Sequence, residues 1–481
     1  MSEETTVLLH GWSDSSKSFR SMKEFLVRHG VGQVESVLYA DYESREDSIT
    51  FSDIVDGLND RFRDQGIIDE RGRGLRDVNV VVHSTGGLVI RHWIWRYYRK
   101  YGDRIDECPV KRVVMLAPAN FGSPLAHRGK SFLGSLLGGR RGVRDFLEVG
   151  RKILTGLELA SPYQWHLARG DILTEDPWWR PDRIQLTVLC GAEEYSGLRG
   201  LVSKAGTDGT VVIAGTPLNA VKLTLDPRAG RDGRGDRDAY RWAGTGNALD
   251  TAFGVLPGMD HGSIVDVFGE DDADESLVCR LVLQALRCGG VADFRALQGE
   301  LEEVTESVYA TGEKRKYQQF LVRAVDDQGQ PIPDFTLEFT VAKASKMGDA
   351  GHMRRVRRSR AERDLSDEAG RLIGKEFHRH SENAAYRRFL LDPLEVGAFL
   401  DRARNEVGEE VFLGLGVHVP PVDRGIRYNT DDLKEVALWP ADASQKEKGS
   451  APTFLYPNTT TLLEVVVDRV NDYVFLGGSP R

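Results

Sequence analysis

The stretch that most constrains this chain is "VNVVVHSTGGLVIRHW", Val78 to Trp93. An apolar run, Val78–His83, stops at a serine, and an amphipathic run begins at once with Gly86 and Gly87. Such a run reads as a strand buried on both faces, and Gly86–Tyr98 has helical spacing. A chain that enters a helix without a loop must turn sharply at the residue between. That turn holds the side chain of Ser84 up in a strained, exposed position, and the two glycines let strand and helix pack closely. The helix N-terminus adds amide donors and a partial positive charge, which favour an oxyanion nearby. The turn therefore presents Ser84 as a nucleophile.

The first half alternates in the same way. Strands are expected at Thr5–His10, Val34–Ala40, Val110–Leu116 and Ile184–Cys190, with helices at Lys17–His29, Ile54–Ile68 and Glu275–Leu286. Short apolar strands alternating with helices predict an α/β fold: a mostly parallel sheet with helices on both faces. Chemistry in such sheets sits at the carboxyl edge of the strands, where Ser84 lies.

At 481 residues the chain is long enough for two domains. A formal net charge of −9 speaks against nucleic acid as a partner, since phosphate affinity needs a dominant positive field. The four cysteines, Cys108, Cys190, Cys279 and Cys288, form neither a disulfide framework nor a metal-ligand spacing and read as reduced core residues. "MSEETTVLLHGW" has no basic flank or long apolar region, and no apolar run approaches the ~20 residues that span a bilayer. The expected location is cytoplasmic, with signal-less export as an effector the alternative.

Val82-His83-Ser84-Thr85-Gly86 resembles the nucleophile elbow of the α/β-hydrolase superfamily, G-x-S-x-G, with valine in place of the first glycine. His10-Gly11-Trp12, directly after the first strand, is similar to the His-Gly pair that lines that superfamily's oxyanion hole. The resemblance implies two amide donors, Trp12 and Thr85. It also implies the chain order Ser, then acid, then His. Asp208, in "TDGTVV", resembles the Asp-Gly-x-Val stretch that carries the acid in many bacterial lipases. Glu194, just after a core strand, is the alternative acid. His261, in "PGMDHGSIVD", fits the base by order and loop context. His83 is too close to Ser84 in the chain to fold back as its base, and His378 and His380 lie in a charged, solvated stretch.

"MLAPANFGSPLAHRG" is similar to the segment after the sixth strand in lipases and in the lecithin–cholesterol acyltransferase and GPI-inositol-deacylase-like branches. Residues 120–182 then read as a helical cap or lid, with Phe132, Leu133, Leu136, Leu137, Ile153, Leu154, Leu157, Leu159 and Trp165 as its apolar residues. These favour an acyl-chain pocket. "DPRAGRDGRGDRDAYRWAGTGNALD" reads as a surface loop that could gate the site.

Residues 1–290 are thus expected to form the catalytic domain, 291–316 a charged helix and linker, and 317–481 an antiparallel β-sandwich-like domain. The last holds a helical insertion near Pro393–Arg404 and a basic cluster, Met353–Arg360, followed at once by the acidic stretch "AERDLSDEAG", a charge run of the kind that is usually a solvated loop. That cluster is the candidate for peripheral membrane contact. The resemblance implies a serine hydrolase of lipid esters, lipase- or phospholipase-like, that needs no metal or organic cofactor. An acyltransferase or thioesterase would use the same triad. A non-enzymatic interaction protein on a hydrolase scaffold is the remaining alternative.

Overall fold

The computed structural model describes residues 5–9, 19–31, 33–37, 48–126, 151–195, 206–226, 241–245, 249–265, 276–346, 358–374, 377–422, 425–430, 433–434, 436–438 and 455–471. The chain forms two compact units, Met1–Asn219 with Asn247–Arg315, and Ala220–Gly246 with Lys316–Arg481.

The first unit opens with β1 (Thr5–Leu9), α1 (Arg20–Arg28), β2 (Gln33–Val37), α2 (Phe51–Asp64), β3 (Val78–His83), α3 (Gly86–Ile94) and β4 (Val110–Leu116). Next come α4 (Arg151–Leu157), α5 (Pro162–Asp171) and β5 (Gln185–Gly191). The chain leaves for β6 (Val221–Asp226) and β7 (Arg241–Thr245), then returns with β8 (Ala252–Leu256), α6 (Leu277–Arg287) and α7 (Val291–Tyr309). The strands run in the order β2-β1-β3-β4-β5-β8, all parallel.

Residue choice explains this layering. β1, β3 and β5 are buried at every position, as a sheet covered on both faces demands. Helix α1 buries Met22, Phe25 and Leu26 on one face, and α2 buries Ile54, Val55, Leu58 and Phe62. A reciprocal capping box between Thr50 and Asp53 starts α2. Strand β8 is one that the sequence reading omitted. Its Gly254 has a structural reason, because a Cβ there would stand 2.7 Å from Leu301 Cδ2 of α7. The order of strands reverses direction at β1, which pairs with both β2 and β3. Ligands of open α/β sheets bind at the carboxyl end of such a switch point.

The second unit continues with β9 (Gln318–Asp326), β10 (Thr336–Lys343), α8 (Arg360–Ile373), β11 (His378–Arg379), β12 (Tyr386–Leu391), α9 (Pro393–Val407), β13 (Val411–His418), β14 (Ile426–Asn429), β15 (Val436–Ala437) and β16 (Thr459–Asn471). One sheet runs β11-β12-β9-β16-β6-β7, with β14 also on β16, and a smaller one runs β10-β13-β15. Phe320, Phe389, Leu413, Leu463, Leu365 and Phe399 belong to its core.

Four details differ from the sequence reading. The Gly/Arg/Asp-rich insertion, Asp226–Asp250, contains β7, which pairs antiparallel with β6, and β6 pairs parallel with β16, so residues 220–246 join the second unit. The sandwich is not purely antiparallel, because β16 runs parallel to both β9 and β6. Glu464 pins this register by accepting from Arg323, directly opposite, at 2.8 Å and from Lys222 at 2.7 Å. The acidic stretch after the basic cluster is not a solvated loop but helix α8, started by a Ser359–Glu362 capping box and burying Leu365, Ala369 and Ile373. Similarly, His380 is buried and its Nδ1 accepts from the Asn383 amide at 3.1 Å. Met353–Arg357 of the basic cluster lie outside the described residues. No helix among the described residues is long and apolar enough to cross a membrane.

Candidate active site

Ser84 follows β3 with φ +52°, in the left-handed region. A non-glycine residue there costs about 1–2 kcal/mol and persists only where its surroundings hold it. They do so here: Ser84 N–H donates to Leu116 O at 3.0 Å, and Ser84 O accepts from Ala119 N–H at 3.0 Å. Both partners lie at the end of β4. Gly87 is what lets helix α3 approach that segment, because a Cβ on it would lie 2.8 Å from Pro118 Cβ and 3.0 Å from Asn120 Oδ1. Thr85 is the N-cap of α3. Ser84 is half-buried, while the neighbouring His83 and Thr85 are buried.

The acid candidate sits after β5. Asp208 is fully buried, and its Oδ1 accepts from the amides of Thr210 at 3.0 Å and Val211 at 2.8 Å. Gly209 has φ +96°, and a Cβ on it would strike the Tyr195 ring at 2.8 Å. The turn is clamped further by Tyr195 Oη, 2.8 Å from Thr210 Oγ1, and by Ser123 Oγ, which donates to Thr210 O at 2.6 Å. Cys190 Sγ lies 3.9 Å from Asp208 Oδ2. Burial, and then the carboxylate's charge, push that thiol well above its usual range, so it stands as a weak S–H donor.

The histidine candidate sits after β8. Met259 O accepts from Glu193 N–H at 2.8 Å and would lie 2.2 Å from a Cβ on Gly191, so the exit of β5 needs a glycine. His261 N–H donates to Asp208 O at 2.9 Å. His261 Nδ1 lies 3.0 Å from Asp208 Oδ2, and Nε2 lies 3.2 Å from Ser84 Oγ. A carboxylate only accepts, so Nδ1 carries the hydrogen and Nε2 is left to accept from the Ser84 hydroxyl. Three loops at the carboxyl edge of the sheet thus bring together Ser84, His261 and Asp208 in one hydrogen-bonded row.

The other candidates are placed as follows. Glu194 is exposed, and its neighbour Glu193 pairs with Lys314 at 2.9 Å. His10, Gly11 and Trp12 lie outside the described residues, as do Phe132, Leu133, Leu136 and Leu137. Of the apolar residues of the expected lid that the structure describes, Ile153, Leu157, Leu159 and Trp165 are buried and Leu154 is half-buried. Arg91 of α3 holds Asp171 of α5 in a bidentate pair, at 2.7 and 3.0 Å, with both side chains fully withdrawn from water. Arg91 Nη1 also donates to Asn120 O and Oδ1, each at 3.2 Å. Beside this pair, burial lowers His92 to about 4. Sequence reasoning missed Arg91 and Asp171. The available signal was a lone arginine inside the apolar helical run "GGLVIRHWIW". Among the described residues, no cluster of three or more His, Cys, Asp or Glu could hold a metal ion.

A family model described as "Alpha/beta hydrolase family" matches residues 6–362. Among solved structures, phospholipase PlaB from Legionella pneumophila is similar over 100% of this chain and 97% of its own, at 22% identity and a TM-score of 0.76. The same phospholipase in complex with thio-NAD gives 21% identity and a TM-score of 0.74, over 99% of this chain and 96% of that one. Identities of this size show a shared fold. No curated protein matches the sequence.

Proposed function

The chain belongs to the alpha/beta hydrolase family, and from that membership we propose that it hydrolyses carboxylic esters of lipids, as a phospholipase-like enzyme, through an acyl-enzyme on Ser84. The observation that carries this reading is the row Ser84–His261–Asp208, with spacings of 3.2 and 3.0 Å, ending on a serine in the left-handed region.

Ser84 Oγ attacks the ester carbonyl while His261 Nε2 takes its proton. Asp208 fixes the imidazole tautomer and stabilises the imidazolium. Thr85 N–H, at the start of α3, and Trp12 N–H are the proposed oxyanion donors. The imidazolium then protonates the leaving alcohol. Water, deprotonated by His261, releases the fatty acid and restores Ser84. The lipid substrate is supported by whole-chain likeness to a phospholipase and by the leucine-rich cap sequence. Peripheral contact with a lipid surface belongs to the same proposal.

The test is a phospholipid mixture incubated with wild type and with Ser84→Ala, read by mass spectrometry. Wild type is expected to release fatty acid and lysophospholipid. Ser84→Ala is expected to release neither, and to take up no fluorophosphonate probe. Equal release by both proteins would end this reading. Transfer of the acyl group to an added alcohol in preference to water would move it to an acyltransferase.

A further inference from the structure

His83 is a buried titratable side chain that touches this row without belonging to it. Its Nε2 lies 3.0 Å from the main-chain oxygen of His261. The two ring centroids are 4.8 Å apart with the planes tilted by 44°, and the Phe19 ring makes a T-shaped pair with His83, centroids 6.4 Å apart. A carbonyl can only accept, so Nε2 of His83 carries a hydrogen and donates it. With its hydrogen committed to that carbonyl, Nε2 of His83 does not accept a proton from Ser84. We infer that His83 is a positioning residue: its N–H fixes the backbone of His261 relative to the strand that delivers the nucleophile. This rests on the hydrolase reading above.

The hydrogen bonds named for His261 end on different elements. Its N–H and its Nδ1–H both end on Asp208, in the turn after β5. The tie from His83 ends on β3, whose next residue is Ser84. The direct contact between Ser84 and His261, at 3.2 Å, cannot hold that distance through a turnover, because its proton is transferred. Nε2 must then release Ser84 and reach the leaving oxygen. The hydrogen of the His83 bond is not the one transferred. It joins β3 to the histidine loop across 178 residues of chain. An error of about 1 Å in such a placement costs on the order of 100-fold in rate.

Two amide substitutions separate this role from bulk and polarity. Glutamine places an amide nitrogen near the position of Nε2, whereas asparagine, one methylene shorter, places it near Nδ1. For His83→Asn, kcat on a soluble ester is expected to fall by roughly 10- to 100-fold with KM within about twofold, and fluorophosphonate labelling of Ser84 to slow by a like factor. His83→Gln is expected to recover to within about threefold of wild type. A His83→Asn protein that labels and turns over at the wild-type rate overturns the inference, as does a His83→Gln protein as impaired as His83→Asn. Should the variants not fold, 15N NMR of histidine-labelled wild type decides. A neutral His83 protonated at Nε2 supports the inference, and one protonated at Nδ1 overturns it. A wild type inert to fluorophosphonate and esters would remove the hydrolase reading and this role together. An active wild type with an equally active His83→Asn removes this role alone.

Discussion

Two carboxylates of the first unit are wholly withdrawn from water, and they are held in opposite ways. Asp171 faces a guanidinium, with Arg91 donating to both of its oxygens. Asp208 faces two backbone amides, a weak thiol donor and an imidazole. The first carboxylate is already neutralised by a full opposing charge. The second is held by dipoles, which satisfy its lone pairs but leave its charge uncancelled. Only the second arrangement suits a group that must stabilise a positive charge appearing and vanishing on its neighbour. The same helix, α3, begins beside the dipole-held site and meets the ion-paired one through Arg91. Helix α3 is thus fastened to α5 by a buried ion pair, while Ser84, just before it, meets His261 through a single hydrogen bond.

The largest effect that tests this contrast is expected from Asp208→Asn. Its carbonyl oxygen still accepts from Thr210 and Val211, so the turn should fold with little change in stability. Its NH2 group would face His261 Nδ1 and force the other tautomer, with the hydrogen on Nε2. That nitrogen could no longer accept the Ser84 proton, and kcat should fall by about 10^4-fold. Esterase kinetics alongside a thermal melt check both halves. A loss below tenfold would mean that Asp208 is another structural carboxylate like Asp171.

The counterpart, Arg91→Met, should do the reverse. It strands Asp171 without a partner, which costs about 3–5 kcal/mol in folding. Chemical denaturation should show that loss, while kcat per folded molecule stays within tenfold. The double variant Arg91→Met with Asp171→Leu should regain most of the stability, since an apolar pair avoids desolvating two charges. A double variant as unstable as the single would mean that Asn120, the other partner of Arg91, matters more than the ion pair.

These two sites also mark how far the sequence could be read. Ser84 was legible because its setting is local: an apolar strand, a small-residue turn and a helix within sixteen residues of chain, Val78 to Trp93. Asp208 and His261 were legible through the motif around each and their order, not through any contact between them. The Arg91–Asp171 pair was not, because nothing within either segment specifies a partner 80 residues away. Hairpin β6–β7 was hidden for the same reason: Val221 pairs with Thr461, and a Gly- and Arg-rich connection looks alike whether it gates a site or adds strands to a sheet. Helix α8 was a different kind of miss. Its Ser359–Glu362 box and the four-residue spacing of Leu365, Ala369 and Ile373 are visible in the sequence, but so dense a run of charge is equally what a solvated loop carries.

The smallest effect sharpens the contrast most finely, because it asks which dipoles carry the Asp208 charge. Two candidates remain once His261 is set aside: the amides at 3.0 and 2.8 Å, and the Cys190 thiol at 3.9 Å. An N–H at these distances is a full hydrogen bond to a charged acceptor, whereas S–H is a weak donor. Cys190→Ala should therefore change kcat by less than about threefold and cost on the order of 1 kcal/mol, mostly from lost packing in the core. The thiol's own titration carries a separate sign. Its folded pKa lies above its unfolded value of 9.0, so the unfolded chain loses the proton first. Wild-type stability should hold below pH 9 and then decline with rising pH, by about 1.4 kcal/mol per unit from this group. Cys190→Ala should remove that share of the decline, which urea titrations at pH 8 and pH 10 can measure. A fall in kcat of thirtyfold or more in Cys190→Ala would show that two amides do not suffice, and that the strand beneath the acid, not its own turn, sets the charge His261 feels.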